Sequence, residues 1–84
     1  MKIEWVDGFE ILVSIDDGTV KISANKEGLL SLAGQLRTLA DVPPGSHIHY
    51  DEHNSLEAGS IEMIIERVPD AASIRDGGSV FPCR

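Results

Sequence analysis

The 84-residue sequence is poor in the residues that several kinds of chemistry require. Its only cysteine, Cys83, lies one residue from the end, so it can form no disulfide within the chain, and we interpret it as an incidental thiol. No stretch approaches the roughly 20 apolar residues that span a bilayer. The first ten residues, MKIEWVDGFE, carry acids where a signal peptide needs an uninterrupted apolar core. We therefore expect a cytoplasmic protein with no membrane partner.

Basic residues are also scarce. Seven lysines and arginines stand against fourteen acids, which gives a formal net charge of −7. A negative protein repels the phosphate backbone, so nucleic acid is disfavoured as a direct partner, whereas a basic protein would be attracted. Because the acids are scattered rather than clustered, the same charge is also typical of a small protein that is merely kept soluble.

The length and composition predict one small globular domain. Hydrophobic residues make up 42% and charged residues 25% of the chain, a balance that argues against disorder along most of its length. We expect a single α+β domain over residues 1–68 and a flexible C-terminal tail over residues 69–84, where Pro, Gly and Ser occur without a period. The domain should fold alone or as a small oligomer such as a homodimer.

The segment FEILVSIDDGTVKISAN predicts a β-hairpin. Its Asp17-Gly18 pair is the strongest short signal for a two-residue turn, because Gly tolerates the positive φ that such turns require. With this turn, apolar residues lie opposite apolar ones and polar residues opposite polar ones. The predicted pairs are Ile11–Ala24, Val13–Ile22, Ile15–Val20, Ser14–Lys21 and Asp16–Thr19.

An additional strand is predicted upstream, at KIEWV, joined to the hairpin through Asp7-Gly8. A two-residue loop there would place Ile3 and Trp5 beside Leu12, on the face away from the other apolar residues of the hairpin. A bulge or a longer turn would reverse that arrangement. In the first case Ile3, Trp5 and Leu12 form an apolar patch through which the domain could self-associate. The sequence alone does not decide on which side of the sheet Ile3 and Trp5 lie.

A change of period after the hairpin predicts an amphipathic helix of about 15 residues. Asn25 is suited to the N-cap, Glu27 is an acid in the first turn, and the helix should end near Asp41, before VPPG. Gly28 and Gly34 each cost about 1 kcal/mol relative to Ala but permit close packing on the sheet. The stripe expected to be buried consists of Leu29, Leu32, Ala33, Leu36, Leu39 and Ala40.

The stretches HIHYD and SIEMIIERV alternate as strands do, and residues 51–60 connect them as a loop rich in turn-forming residues. The order of elements along the chain is then β-β-β-α-β-β. We expect an antiparallel sheet with one face packed on the helix. The residues of these last two strands that should face the helix are Ile48, Tyr50, Ile61, Met63 and Ile65.

The sequence HIHYDEH has three histidines and two acids within seven positions, a density typical of metal sites. On a strand His47, His49 and Asp51 point to the same side and could ligate zinc or iron in a small metal-dependent enzyme. The set is incomplete, because further ligands would have to come from carboxylates such as Glu62 and Glu66. We favour a solvated or partner-facing surface, with no cofactor. Any antiparallel pairing that turns the apolar residues of both strands toward the helix also places the histidines on the other face, beside Glu62, Ile64 and Glu66.

The run NKEGLLSLAGQLRTLADVPPGSHIHYDEHNSLEAGSIEMIIER, residues 25–67, resembles the immunity protein 32 family. The similarity lies in NKEGLLSLA at the start of the helix, then GSHIHYDE, then LEAGSIEMIIE, in that order and at similar separations. These are small proteins encoded beside toxins in bacterial polymorphic toxin systems. No glycine-rich phosphate loop or serine elbow suggests a competing assignment.

The resemblance implies a non-enzymatic protein that binds a cognate toxin and blocks it. By position, the polar motif of the family falls on His47, His49, Asp51 and Glu52, with Glu57 in the following loop. The negative charge suits a basic toxin, since complementary charge accelerates encounter and opposes release. A toxin-binding role through these five residues is therefore our prediction, with a metal-binding protein using His47, His49 and Asp51 as the alternative.

Overall fold

A computed structural model of the protein describes residues 1–69. It contains two antiparallel two-stranded sheets and one helix, so the predicted α+β class is confirmed. The predicted tail lies outside the described residues except at Pro69. The elements are β1 (Ile11–Asp16), β2 (Thr19–Ala24), α1 (Lys26–Asp41), β3 (His47–Tyr50) and β4 (Met63–Glu66).

The first hairpin, β1–β2, forms in the predicted register. All five predicted pairs are present, together with Leu12 opposite Ser23. Asp17 and Gly18 have φ values of 54° and 82°, as a turn with two left-handed residues requires. The hairpin is therefore specified by its turn and by the alternation of its side chains.

The predicted strand at KIEWV is absent, because residues 1–10 pair with no strand in the described part of the chain. Side chains of α1 form hydrogen bonds with the backbone of this N-terminal segment instead. Ser31 Oγ accepts a hydrogen bond from Val6 N at 2.8 Å, and Gln35 Nε2 donates to Glu4 O at 2.8 Å. The observed order is thus β-β-α-β-β, since the helix supplies hydrogen-bond partners that a sheet would otherwise provide.

The apolar side chains of the N-terminal segment pack on the core. Trp5 stacks on Phe9 with ring centroids 4.4 Å apart and meets the edge of Tyr50 at 6.2 Å. Ile3 is also partly buried against the core. Ile3 and Trp5 are therefore partly buried against the core.

The two sheets are separate, although one continuous sheet was predicted. The segment between β3 and β4 joins them. Glu57 N donates to Ile11 O and Ile61 N to Val13 O, each at 2.8 Å, while Ser60 Oγ accepts from Val13 N at 3.1 Å. The backbone groups of Ile11 and Val13 that point away from β2 therefore form hydrogen bonds with a loop and with one hydroxyl. No strand ladder continues from one sheet to the other.

The helix begins and ends as predicted, and Asn25 fixes its start. Asn25 Oδ1 accepts hydrogen bonds from Gly28 N at 2.8 Å and from Glu10 N at 3.0 Å, and its Nδ2 donates to Gly8 O at 2.9 Å. One side chain thus caps the helix and attaches it to the residues that precede β1.

The buried face of α1 differs from the predicted stripe. Leu29 and Leu36 are 55% and 46% exposed, so the prediction that both are buried was wrong. The face is rotated because Ser31 and Gln35 turn inward, where the N-terminal backbone and Tyr50 satisfy their polar atoms. The buried helical residues are Gly28, Ser31, Leu32, Gln35 and Leu39.

The core contains side chains from β1, α1, β3 and the loop between β3 and β4. Its loop member, Leu56, is 5% exposed and was not anticipated, since it follows the turn residues of the 51–60 loop. Gly28 brings the helix close to the hairpin, because a Cβ there would lie 2.6 Å from Glu10 O. The buried apolar residues are Ile11, Val13, Leu32, Leu39, Ile48, Tyr50 and Leu56.

Candidate functional site

Strand β3 presents its histidines to solvent because its other two residues are anchored. Ile48 is 5% exposed and Tyr50 is completely buried. The Tyr50 hydroxyl donates a hydrogen bond of 2.7 Å to Gln35 Oε1. Burial raises the pKa of Tyr50 above its usual value of 10.0, so the phenol remains a hydrogen-bond donor. Since successive side chains alternate across a strand, His47 and His49 must face outward.

The histidines lie on the outer face of the β3–β4 hairpin, beside residues of β4. His47 is opposite Glu66 and His49 is opposite Ile64. Both histidines are exposed, and their ring centroids are 5.6 Å apart in an edge-to-face arrangement. Ile64 is 55% exposed beside them. We call His47, His49, Ile64 and Glu66 the outer face: an apolar side chain among polar ones, as in many protein interfaces.

Asp51 and Glu52 stabilise the loop that follows β3. Asp51 Oδ1 accepts hydrogen bonds from His53 N at 2.9 Å and from Asn54 N at 3.0 Å. Glu52 Oε2 accepts a hydrogen bond from Gly59 N. These carboxylates therefore shape the loop whether or not a partner contacts them. The only signal of this second role in the sequence is the presence of turn-forming residues around them.

Glu57 lies apart from the histidines. Its backbone N bonds to Ile11 O, and its side chain is exposed beside a shallow cleft at the base of the first hairpin. Leu12 and Ser23 also line this cleft. The structure thus brings His47 and His49 together with Ile64 and Glu66, and it places Glu57 next to β1 and β2 instead.

A groove of about 280 Å³ runs beside β3, next to the outer face. Trp5 and Ile3 form one side of it, and its lining includes both outward histidines and Asn54. Asn54 Nδ2 donates a hydrogen bond of 3.2 Å to His49 O at this edge of the strand. The sequence did not predict the groove, because it depends on where the N-terminal segment packs.

The structure does not assemble the residues of two alternative hypotheses, the metal site and the apolar patch for self-association. In residues 1–69, no three His, Cys, Asp or Glu side chains are grouped so that they could hold a metal ion, and the carboxylate of Asp51 is turned into its loop. The predicted apolar patch is also divided, since Ile3 and Trp5 line the groove while Leu12 lines the separate cleft near Glu57.

The described residues define a small α+β domain whose histidines and acids lie on an open sheet face beside a shallow groove. The sequence model of the family described as immunity protein 32 matches residues 19–68, which is more than half of the chain. The chain belongs to this family. The match extends the similarity seen at residues 25–67 into β2.

Comparisons with curated proteins and with solved structures found no match. Over residues 1–69, the structure has no helix with the length and apolar character needed to cross a membrane. Because neither of these two comparisons found a relative, the family assignment rests on the match to the sequence model of the family.

Proposed function

We propose that this protein is a non-enzymatic immunity protein, which binds a cognate bacterial toxin in the cytoplasm and blocks its activity. Membership of the immunity protein 32 family supports the role. The outer face is the structural observation that supports this role most directly, because His47, His49 and Glu66 surround the exposed Ile64 there. Packing of Ile48 and Tyr50 fixes this surface in advance, so little conformational entropy need be lost on binding.

The charge of the chain supports a basic partner. The net charge is −7, and Glu52, Glu57, Glu62 and Glu66 are all exposed on the β3–β4 half and its connecting loop. Complementary charge raises the rate of association and makes that rate sensitive to salt. We propose that the histidines and Ile64 form the centre of the contact, with the acids at its border: Asp51, Glu52, Glu57 and Glu66.

The central contact is tested by His49→Ala and Ile64→Lys, each titrated against the toxin encoded beside the gene. Removal of a central contact costs more than about 1.4 kcal/mol, so we expect at least a tenfold loss of affinity for each variant. Leu30→Lys is the matched control, because Leu30 is 51% exposed on α1, away from the outer face. Wild-type affinity for both test variants, with unchanged melting curves, would exclude the outer face.

The acidic border is tested by Glu57→Lys and Glu66→Lys, measured at low and high salt. We expect slower association at low salt and a smaller difference at high salt. Asp51 and Glu52 are poorer choices, because charge reversal also removes the acceptors of backbone N–H groups in the loop. If Glu66→Lys alone weakens binding, the contact is confined to β3 and β4 and does not extend to the first hairpin.

A further inference from the structure

Strand β2 forms the outer edge of the first sheet. Among the described residues β1 is its only strand partner, and each of the six residues of β2 is at least partly exposed. Val20 and Ile22 are 60% and 44% exposed, although they lie on the same side of the sheet as the buried Val13. A long strand edge with exposed apolar side chains is a template for pairing with another strand.

The backbone of β2 is oriented for such pairing. Asn25 N donates to Glu10 O at 3.1 Å, just beyond the Ile11–Ala24 pair. In an antiparallel ladder this bond identifies Ile11–Ala24 as a non-hydrogen-bonded pair, and the two kinds of pair alternate along the strand. The N–H and C=O groups of Val20, Ile22 and Ala24 therefore point away from β1, toward the open edge.

We propose that a second copy of this chain occupies that edge, so that two β2 strands pair antiparallel in one four-stranded sheet. Residues 18–26, GTVKISANK, contain two lysines and no acid, so the negative charge that would keep two copies of this acidic protein apart is absent along this edge. A basic toxin would meet these lysines unfavourably. Antiparallel pairing also brings the acidic turn at Asp16 and Asp17 toward the end of β2 that Lys26 follows in the second copy.

The preferred register has its two-fold axis at Ile22. Ile22 then lies opposite Ile22 of the second copy, Val20 opposite Ala24, and Lys21 opposite Ser23. Val20, Ile22 and Ala24, whose N–H and C=O groups point toward the open edge, then pair only with one another, as the hydrogen bonds of a ladder require. An axis at Lys21 would instead place the two lysines directly opposite each other, which is destabilising.

The dimer itself is tested by sedimentation of the full chain over a range of concentrations. We expect the wild-type mass to approach twice 9.1 kDa, and Ile22→Lys to weaken the dimer at least tenfold, because two lysines would meet at the axis. Leu30→Lys, at an equally exposed apolar residue of α1, should sediment as the wild type does. A monomeric wild-type chain, or a dimer that tolerates Ile22→Lys, would overturn the proposal.

The register is tested by disulfide formation in a Cys83→Ser background. Residues in a hydrogen-bonded antiparallel pair have Cα atoms about 5.5 Å apart, which a disulfide can bridge. Ile22→Cys should therefore form a covalent dimer under mild oxidation. Val20→Cys is the control, because the two Val20 positions would be four residues, or about 13 Å, apart. Equal cross-linking of both variants would refute this register, and so would cross-linking of Val20→Cys alone.

Discussion

Gly28→Ala and Gly34→Ala should have opposite effects on stability, although both replace a glycine within α1. A Cβ at Gly28 would lie 2.6 Å from Glu10 O, 2.9 Å from Ile11 Cγ1 and 3.1 Å from the Cβ of Ala24. A Cβ at Gly34 would meet nothing within 4 Å. The pair therefore separates helix propensity from packing against the hairpin.

The magnitudes follow from these distances. Alanine stabilises a helix interior by up to about 1 kcal/mol relative to glycine, and Gly34→Ala should show that gain. At Gly28 the closest atom is a backbone oxygen that also accepts Asn25 N at 3.1 Å, so it cannot move without weakening that bond. Overpacking costs about 1 to 3 kcal/mol, and a contact of 2.6 Å with a backbone atom belongs in the upper half of that range, where the cost outweighs the gain in propensity. We expect the variants to differ by about 2 kcal/mol or more.

The free energy of unfolding of both variants is measured in urea, with Trp5 fluorescence and circular dichroism as the two signals. In a domain of this size, 2 kcal/mol corresponds to roughly 8 to 16 °C between their melting temperatures. The slope of unfolding against urea should be unchanged, since neither substitution alters the area exposed on unfolding. If Gly28→Ala stabilises the protein as much as Gly34→Ala does, the close approach of the helix to the first hairpin is refuted.

Two further predictions concern the core. Leu32→Ala should cost about 2 to 5 kcal/mol, and Leu36→Ala less than about 1 kcal/mol because Leu36 is 46% exposed; equal costs in urea unfolding would contradict the observed helix face. Tyr50→Phe should cost about 1 to 2 kcal/mol by leaving Gln35 Oε1 without its donor. Because burial raises the pKa of Tyr50, the folded protein keeps the phenol proton longer than the unfolded chain, so the free energy of unfolding should fall as pH rises above about 10. Tyr50→Phe should reduce that fall, and an identical pH dependence in both proteins would contradict the buried position.

The elements that the sequence predicted well depend on neighbours in the chain. The Asp17-Gly18 turn sets the whole register of β1 and β2, because only one pairing follows from a two-residue turn. Asn25 begins the helix because its side chain can reach the N–H group three residues ahead. The outward direction of His47 and His49 follows from alternation along β3.

The remaining features depend on contacts between distant parts of the chain. Periodicity predicted a leucine face for α1, yet Gln35 is buried and Leu36 is exposed. A polar side chain can be buried only where its atoms find partners, and those partners are Glu4 O and the Tyr50 hydroxyl, 31 and 15 residues away. Sequence alone therefore determined the first hairpin, the start of the helix and the direction of the histidines. Only tertiary structure decided the helix face, the place of the N-terminal segment and the groove beside β3, because each requires hydrogen bonds or packing between residues far apart in the chain.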